Sequence, residues 1–265
     1  MSPAEETTPA GKLVNVLGVG VSVLNLDLAW QRIAEAVERR RPGYVCVTGV
    51  HGICESMDDP GFRRILNEAF LNTPDGMPLV WLGRLDGNRE MDRVYGPDLM
   101  ELVCERSVAR GWRHFFYGGA PGTADLLRDR LCARFPGLQV AGCFTPPFRP
   151  LEPQEEEDLA GLVAAARPDF FWVGLSTPKQ EKFMAAHLHR LEATLMFGVG
   201  AAFDFHAGKV KQAPRWVQRS GFEWLYRTMQ EPRRLWKRYL VNNPRFVWNL
   251  VLRRLGLRKF PSGNG

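Results

Sequence analysis

The spacing of apolar and polar positions changes repeatedly along the chain, and each change predicts an element. Lys12–Leu24 alternates and ends in turn residues, which predicts a β-hairpin. Asn25 or Asp27 can cap the helix that follows, whose apolar face carries Trp30, Ile33, Ala34 and Val37. Tyr44–Gly49 is a β-rich run expected as a buried parallel strand. A helix is expected through Phe62–Phe70. After LNTPDG, the segment MPLVWLG suits a helix or an extended run. Gly96–Gly111 has helical periodicity and stops at glycine. Trp112–Gly119 is strand-like and runs into a glycine turn and a further helix. LQVAGCF is the next strand. Pro153–Ala166 is a helix whose acidic first turn suits the helix dipole. Phe170–Ser176 is a strand. PKQEKFMAAHLHRL is a helix with Pro178 near its first turn. ATLMFGVGAAFDF is a last strand ending in glycines.

Repeated strand–helix alternation predicts an α/β fold: a Rossmann-like, mostly parallel sheet flanked by helices. After about residue 208 the strands stop and the chain becomes helical, basic and aromatic, with Trp216, Trp224, Trp236 and Trp248. Pro214, Pro232 and Pro244 are expected to divide it into short helices. The predicted organisation is a disordered leader (1–11), an α/β core (12–208), a basic helical C-terminal appendage (209–259) and a short tail (260–265).

Charge sharpens this division. Residues 209–259 hold fourteen Lys/Arg and two acids, about +12, while the whole chain is +6. The remainder is therefore about −6. A basic appendage on an acidic body points to a polyanionic partner: nucleic acid, anionic lipid or a phosphorylated substrate. The five cysteines are scattered, with no CxxC pair, which suits a reducing cytosol. No run of 18 apolar residues predicts a membrane span. The first residues lack the pattern of a secretory signal.

Several segments carry candidate chemistry, each with a plainer alternative. Gly118 and Gly119 open a glycine turn between strand and helix, where backbone amides can hold a diphosphate; otherwise it is a simple strand-to-helix turn. Asp75, at a sharp turn, is either a general base or part of an Asp-Gly turn. Arg93 either meets phosphate or is a surface charge. Thr177–Glu181, with Gln180, clusters polar groups at a strand end, or simply starts a capped helix. Gly198, Gly200 and Asp204 belong to another glycine-rich strand end. The histidines lack metal-ligand spacing, and no DxD pair is present, so no metal and no cofactor is expected.

Together TPDGMPLVW (73–81), RVYGPDLM (93–100), FFYGGAPG (115–122), STPKQEKF (176–183), residues 198–227 and EPRRLWKRY (231–239) resemble the WecG/TagA/CpsF family of bacterial glycosyltransferases, in the family's order over roughly residues 44–245. The resemblance implies an inverting transferase that uses a UDP-sugar, often UDP-N-acetylmannosamine. The acceptor it implies is a polyprenyl-diphosphate-linked sugar. It makes Asp75 the base, with Thr48 beside it on an early strand end. Arg93 and Gln180 match positions of the active-site pocket. The family often has Asn two residues after that Thr; here Val50 stands there, with His51 next. In the family the appendage is linked to membrane docking and supplies arginines to the site; Arg219, Arg227, Arg233, Arg234 and Arg238 are the candidates. An anionic membrane surface on the cytoplasmic side is then the expected partner, with peripheral attachment. A homo-oligomer is compatible with the sequence.

Two other classes compete. The basic, aromatic tail suits a nucleic-acid-binding protein, yet no DNA- or RNA-binding motif accompanies it. The glycine turns suit a dinucleotide-dependent oxidoreductase, but the GxGxxG fingerprint is missing.

Overall fold

The structure, a computed structural model, describes residues 11–261, with the side chain of Arg234 excepted. All but the last residue of the expected leader, and residues 262–265 of the tail, lie outside the described residues.

The predicted hairpin is formed by β1 (Leu13–Val16) and β2 (Val19–Ser22), antiparallel, with Leu17 and Gly18 in the turn. Asn25 caps α1 (Leu26–Glu38): its side chain accepts from the Leu28 amide at 2.9 Å, which satisfies one of the free donors of the first turn. β3 (Gly43–Thr48) is buried along its whole length. Two helices follow it, α2 (Val50–Asp58) and α3 (Pro60–Glu68), the second capped by Asp59.

The segment Leu71–Pro74, expected only as the approach to a turn, is a fourth strand, β4. It lies parallel to β3, with Thr48 opposite Pro74. Four residues are too few to show a period of two, and Asn and Pro are poor strand signals. The chain continues through α4 (Met77–Leu85), which settles that ambiguous segment as helical, and α5 (Gly96–Val108). Then come β5 (Arg113–Gly118), α6 (Thr123–Arg134), β6 (Gln139–Phe144), α7 (Pro153–Ala166), β7 (Phe170–Gly174) and α8 (Lys179–His187). β8 (Leu195–Gly198) is shorter than expected. Val199–Ala201 form a turn and Ala202–His206 form a short helix, α9. The glycines end the strand earlier than the apolar pattern suggests, because Gly200 takes a φ of +50° that strands do not use.

The six strands β4-β3-β8-β7-β5-β6 form one sheet, parallel throughout. Alternate side chains feed two cores. Phe116, Phe170, Trp172 and Phe197 pack under α1, α5, α6 and α9. Tyr44, Phe115, Tyr117, Phe171 and Met196 pack under the hairpin, α2, α3, α7 and α8. The hairpin lies along β4, where the Ser22 hydroxyl accepts from the Asn72 amide at 3.1 Å and the Asn72 side chain donates to the Gly20 carbonyl at 3.1 Å.

Beyond the sheet stand α10 (Arg215–Ser220), α11 (Glu223–Gln230) and α12 (Pro232–Arg254). Pro214 precedes α10 and Pro232 opens α12, so both stand at helix starts, as expected. Pro244 instead lies inside α12, a helix of 23 residues. Its missing N–H and its ring cost one backbone hydrogen bond. Packing of Leu235, Asn242, Phe246 and Asn249, all buried, carries the helix through the proline. These four recur at spacings of seven, four and three residues, so α12 lays one stripe on the body. Trp236, Leu240, Val247, Val251 and Leu255 face outward and are exposed.

Candidate active site

In an open parallel sheet the helix-bound turns at the carboxyl ends of the strands form the natural crevice. Here those turns and the appendage enclose one cavity of about 1460 Å³.

Asp75 stands one residue past β4. The parallel register places it beside Thr48, whose carbonyl accepts from the Asp75 amide at 3.0 Å. Gly76 follows in extended backbone and starts α4, so the carboxylate projects from a strand end into the cavity. Across from it, a side chain on Gly49 would begin 3.6 Å from Asp75 Oδ2. Oδ1 is buried and accepts no hydrogen bond. Enclosure by protein pushes the Asp75 carboxyl up to about 6, with Arg93, Arg227 and Arg238 pulling in the opposite direction and Glu223 adding to the rise. A carboxylate with this affinity is ionised at neutral pH yet basic enough to take a proton.

Arg93 is the most heavily anchored group of the site. Its Nε donates to the Asp75 carbonyl at 2.8 Å and Nη1 to Gln218 Oε1 at 3.3 Å. Nη2 donates to Glu223 and lies 3.9 Å from Asp75 Oδ1. The guanidinium stacks 3.9 Å above the Tyr95 ring. Gln218 and Glu223 come from α10 and α11, so the appendage completes the coordination of a core arginine. Arg227 enters from α11 over the Phe205 ring at 5.4 Å and makes no hydrogen bond or ion pair among the described residues. Arg238 enters from α12 and lines the same cavity.

On the far side, the loop after β7 carries a cis Thr177–Pro178 bond and starts α8. Gln180 is buried. Its Nε2 donates to Glu181 Oε1 at 3.0 Å, and the Thr177 hydroxyl donates to the same oxygen at 2.8 Å. The amide is thereby oriented with Oε1, buried and without a hydrogen bond, towards Gly200, while the residue lines the cavity wall. Burial raises the Glu181 carboxyl above its ordinary range. Gly198 admits this packing, since a Cβ there would lie 2.8 Å from Met184 Cε and 3.1 Å from Gln180 Nε2.

The cavity therefore gathers Asp75, Arg93, Gly119, Gln180, Gly198, Gly200, Asp204, Arg227 and Arg238, with Thr48 directly beneath Asp75. Three of the sequence candidates are elsewhere. Gly118 does not line the cavity; a Cβ on it would meet the Gly174 backbone at 2.7 Å, so it allows β5 and β7 to approach. Arg219 and Arg233 are exposed outside the cavity. The Arg234 side chain lies outside the described ones. The Gly119 amide is bound to the Gly174 carbonyl at 3.0 Å rather than offered to a ligand. Sequence reasoning missed Tyr95, Gln218 and Glu223. Glu223 was visible as one of two acids in a strongly basic segment, which was the available signal.

Comparison with known proteins agrees with this geometry. The model of the "Glycosyl transferase WecG/TagA/CpsF family" matches residues 14–260. A protein of Bacillus spizizenii named N-acetylglucosaminyldiphosphoundecaprenol N-acetyl-beta-D-mannosaminyltransferase is 31% identical over 193 residues, 73% of this chain and 72% of its own. A protein of the same name from Bacillus subtilis is 30% identical over 185 residues, 70% of each chain. Family model, relatives and a sheet whose strand ends open on one composite crevice lead to the same point: this chain belongs to the WecG/TagA/CpsF family and is a glycosyltransferase.

Proposed function

We propose that this glycosyltransferase moves a sugar from a UDP-sugar, with inversion, to a polyprenyl-diphosphate-linked saccharide at the inner face of the cytoplasmic membrane. The observation that carries this reading is the Asp75 carboxylate: raised to about 6, with Oδ1 accepting no hydrogen bond, in a cavity that also receives arginines from core and appendage. The relatives are named for transfer to N-acetylglucosaminyldiphosphoundecaprenol, which supports the lipid-linked acceptor.

Asp75 takes the proton of the acceptor hydroxyl as its oxygen bonds to the anomeric carbon. The bond from that carbon to the diphosphate oxygen breaks, and UDP leaves with the electron pair. Arg227 and Arg238 meet the charge that develops, in a site where fixed donors count for more than in water. Gln180, in the cavity wall, helps to shape the sugar-binding side of the site. Guanidinium groups in this role make a resident metal unnecessary.

Among the described residues no helix is long and apolar enough to cross a membrane. The outward stripe of α12, with Trp236, Leu240 and Val247, suits the interfacial region instead, with neighbouring Lys and Arg on anionic head groups. The test is UDP release from a panel of UDP-sugars in the presence of a polyprenyl-diphosphate-linked N-acetylglucosamine. Release that needs both substrates supports the reading, and UDP release independent of acceptor overturns it.

A further inference from the structure

A polar bridge ties the appendage to the strand end that carries Thr48. His51 stands in the first turn of α2, three residues after Thr48. Its Nδ1 accepts a hydrogen bond from the Asn242 amide of α12 at 2.9 Å. The ring also contacts the backbone of Thr177, in the loop that leads into α8. Asn242 is buried, and its own carbonyl accepts from Cys54 Sγ at 3.4 Å. Three residues on, Arg245 clasps both carboxylate oxygens of Asp58 at 2.5 Å, at the other end of α2. Contacts at both ends of α2 thus fix the register of α12.

Burial, helped by the charge of Arg238, pushes the His51 ring down to about 4, while Glu55 Oε1 lies 3.6 Å from Nδ1. The ring is therefore neutral at neutral pH, the form in which Nδ1 can accept a hydrogen bond.

The consequence lies one turn away. Residues four apart share a helix face, so the docking of Asn242 decides where Arg238 projects. Arg238 lines the cavity, and its charge acts on Asp75, His51 and Glu181 alike. A slip of one residue would move it by about 1.5 Å and turn it by about 100°. On its other side the same bridge reaches Gln180, since the Thr177 hydroxyl and the Gln180 amide share Glu181 Oε1.

We propose that His51 is a positioning residue for glycosyl transfer: through Asn242 it sets the register of α12 and so holds Arg238 at the reacting carboxylate. This rests on the reaction proposed above. The experiment measures kcat and KM for His51→Ala, Arg238→Ala and the double variant, with the UDP-sugar and acceptor that the wild type uses. His51→Ala is expected to lower kcat on the order of tenfold to a hundredfold, as misplacement of a catalytic group does, with donor KM changed much less. In the Arg238→Ala background the same change is expected to cost about twofold at most, because the group it positions is gone. His51→Gln, whose carbonyl can accept from Asn242, is expected to keep most of the activity. Multiplicative losses, or His51→Gln as damaging as His51→Ala, overturn the proposal. If His51→Ala does not fold, Asn242→Leu carries the same test. An arm independent of activity is amide hydrogen exchange of α12: exchange faster by about tenfold or more in His51→Ala is expected, and unchanged exchange overturns the proposal. A wild type that transfers no sugar refutes the proposed reaction, while the exchange arm still judges whether His51 holds α12.

Discussion

Replacing Asp75 by Asn separates what the site does from what the fold prefers. The carboxyl is moved from 3.8 to about 6, chiefly by burial. A folded-state affinity above the unfolded one means that ionising Asp75 works against the fold. The penalty is absent below about pH 4, grows between pH 4 and 6, and is complete above. In a dry site it would be about 3 kcal/mol. With about a third of the side chain open to the cavity (32%), roughly half of that is expected. Asp75→Asn removes the charge and keeps the shape, and Arg93 retains Glu223 as its partner. The variant is therefore expected to be more stable than wild type by about 1–2 kcal/mol at pH 7.5, a rise in Tm of several degrees for a chain of this length. The difference should vanish near pH 4. Transfer should fall on the order of 10²–10⁴-fold, the usual contribution of a general base. Urea unfolding at pH 4 and 7.5, with UDP release on the same samples, gives both numbers. An unchanged offset at the two pH values refutes the electrostatic reasoning, and near wild-type turnover refutes the assignment of the base.

Arg93→Gln leaves Glu223 enclosed without its cation, and is expected to cost about 3 kcal/mol; adding Glu223→Gln should recover much of the loss in the same urea titration. Gly118→Ala forces a Cβ to within 2.7 Å of the Gly174 backbone at a φ of +124°, so severe destabilisation, or failure to accumulate folded protein, is expected by circular dichroism. Trp236→Glu with Trp248→Glu changes two exposed side chains of α12; the double variant is expected to keep its Tm and to lose sedimentation with anionic vesicles, and vesicle binding equal to wild type would argue against the outward stripe as the docking face.

Much of the body was legible because its signals are local. Strands such as Phe170–Gly174 are apolar throughout, and helices such as Leu26–Glu38 carry an apolar period, with the cap Asn25 just before them. β4 was not legible, since LNTP has no alternation and becomes a strand only by lying between β3 and the hairpin. The proline rule failed at Pro244 because burial of Phe246 and Asn249 outweighs the lost hydrogen bond. At the site, Asp75, Arg93 and Gln180 follow strand ends or turn residues that mark themselves. Their partners do not. Glu223 is 130 residues from Arg93, and Asn242 is 191 from His51. Which tail arginines face inward depends on helix phase and docking: Arg227 and Arg238 enter the cavity, whereas Arg219 and Arg233 face water.

The hairpin along β4 has a consequence beyond support. β4 is the outermost strand of the sheet and leads directly into Asp75. An uncovered edge strand offers its backbone to any neighbouring chain. Residues 13–22 guard that edge through Ser22 and Gly20. Chains shortened past residue 22 should therefore self-associate with rising concentration, and should lose their turnover by aggregation as much as by any change at Asp75.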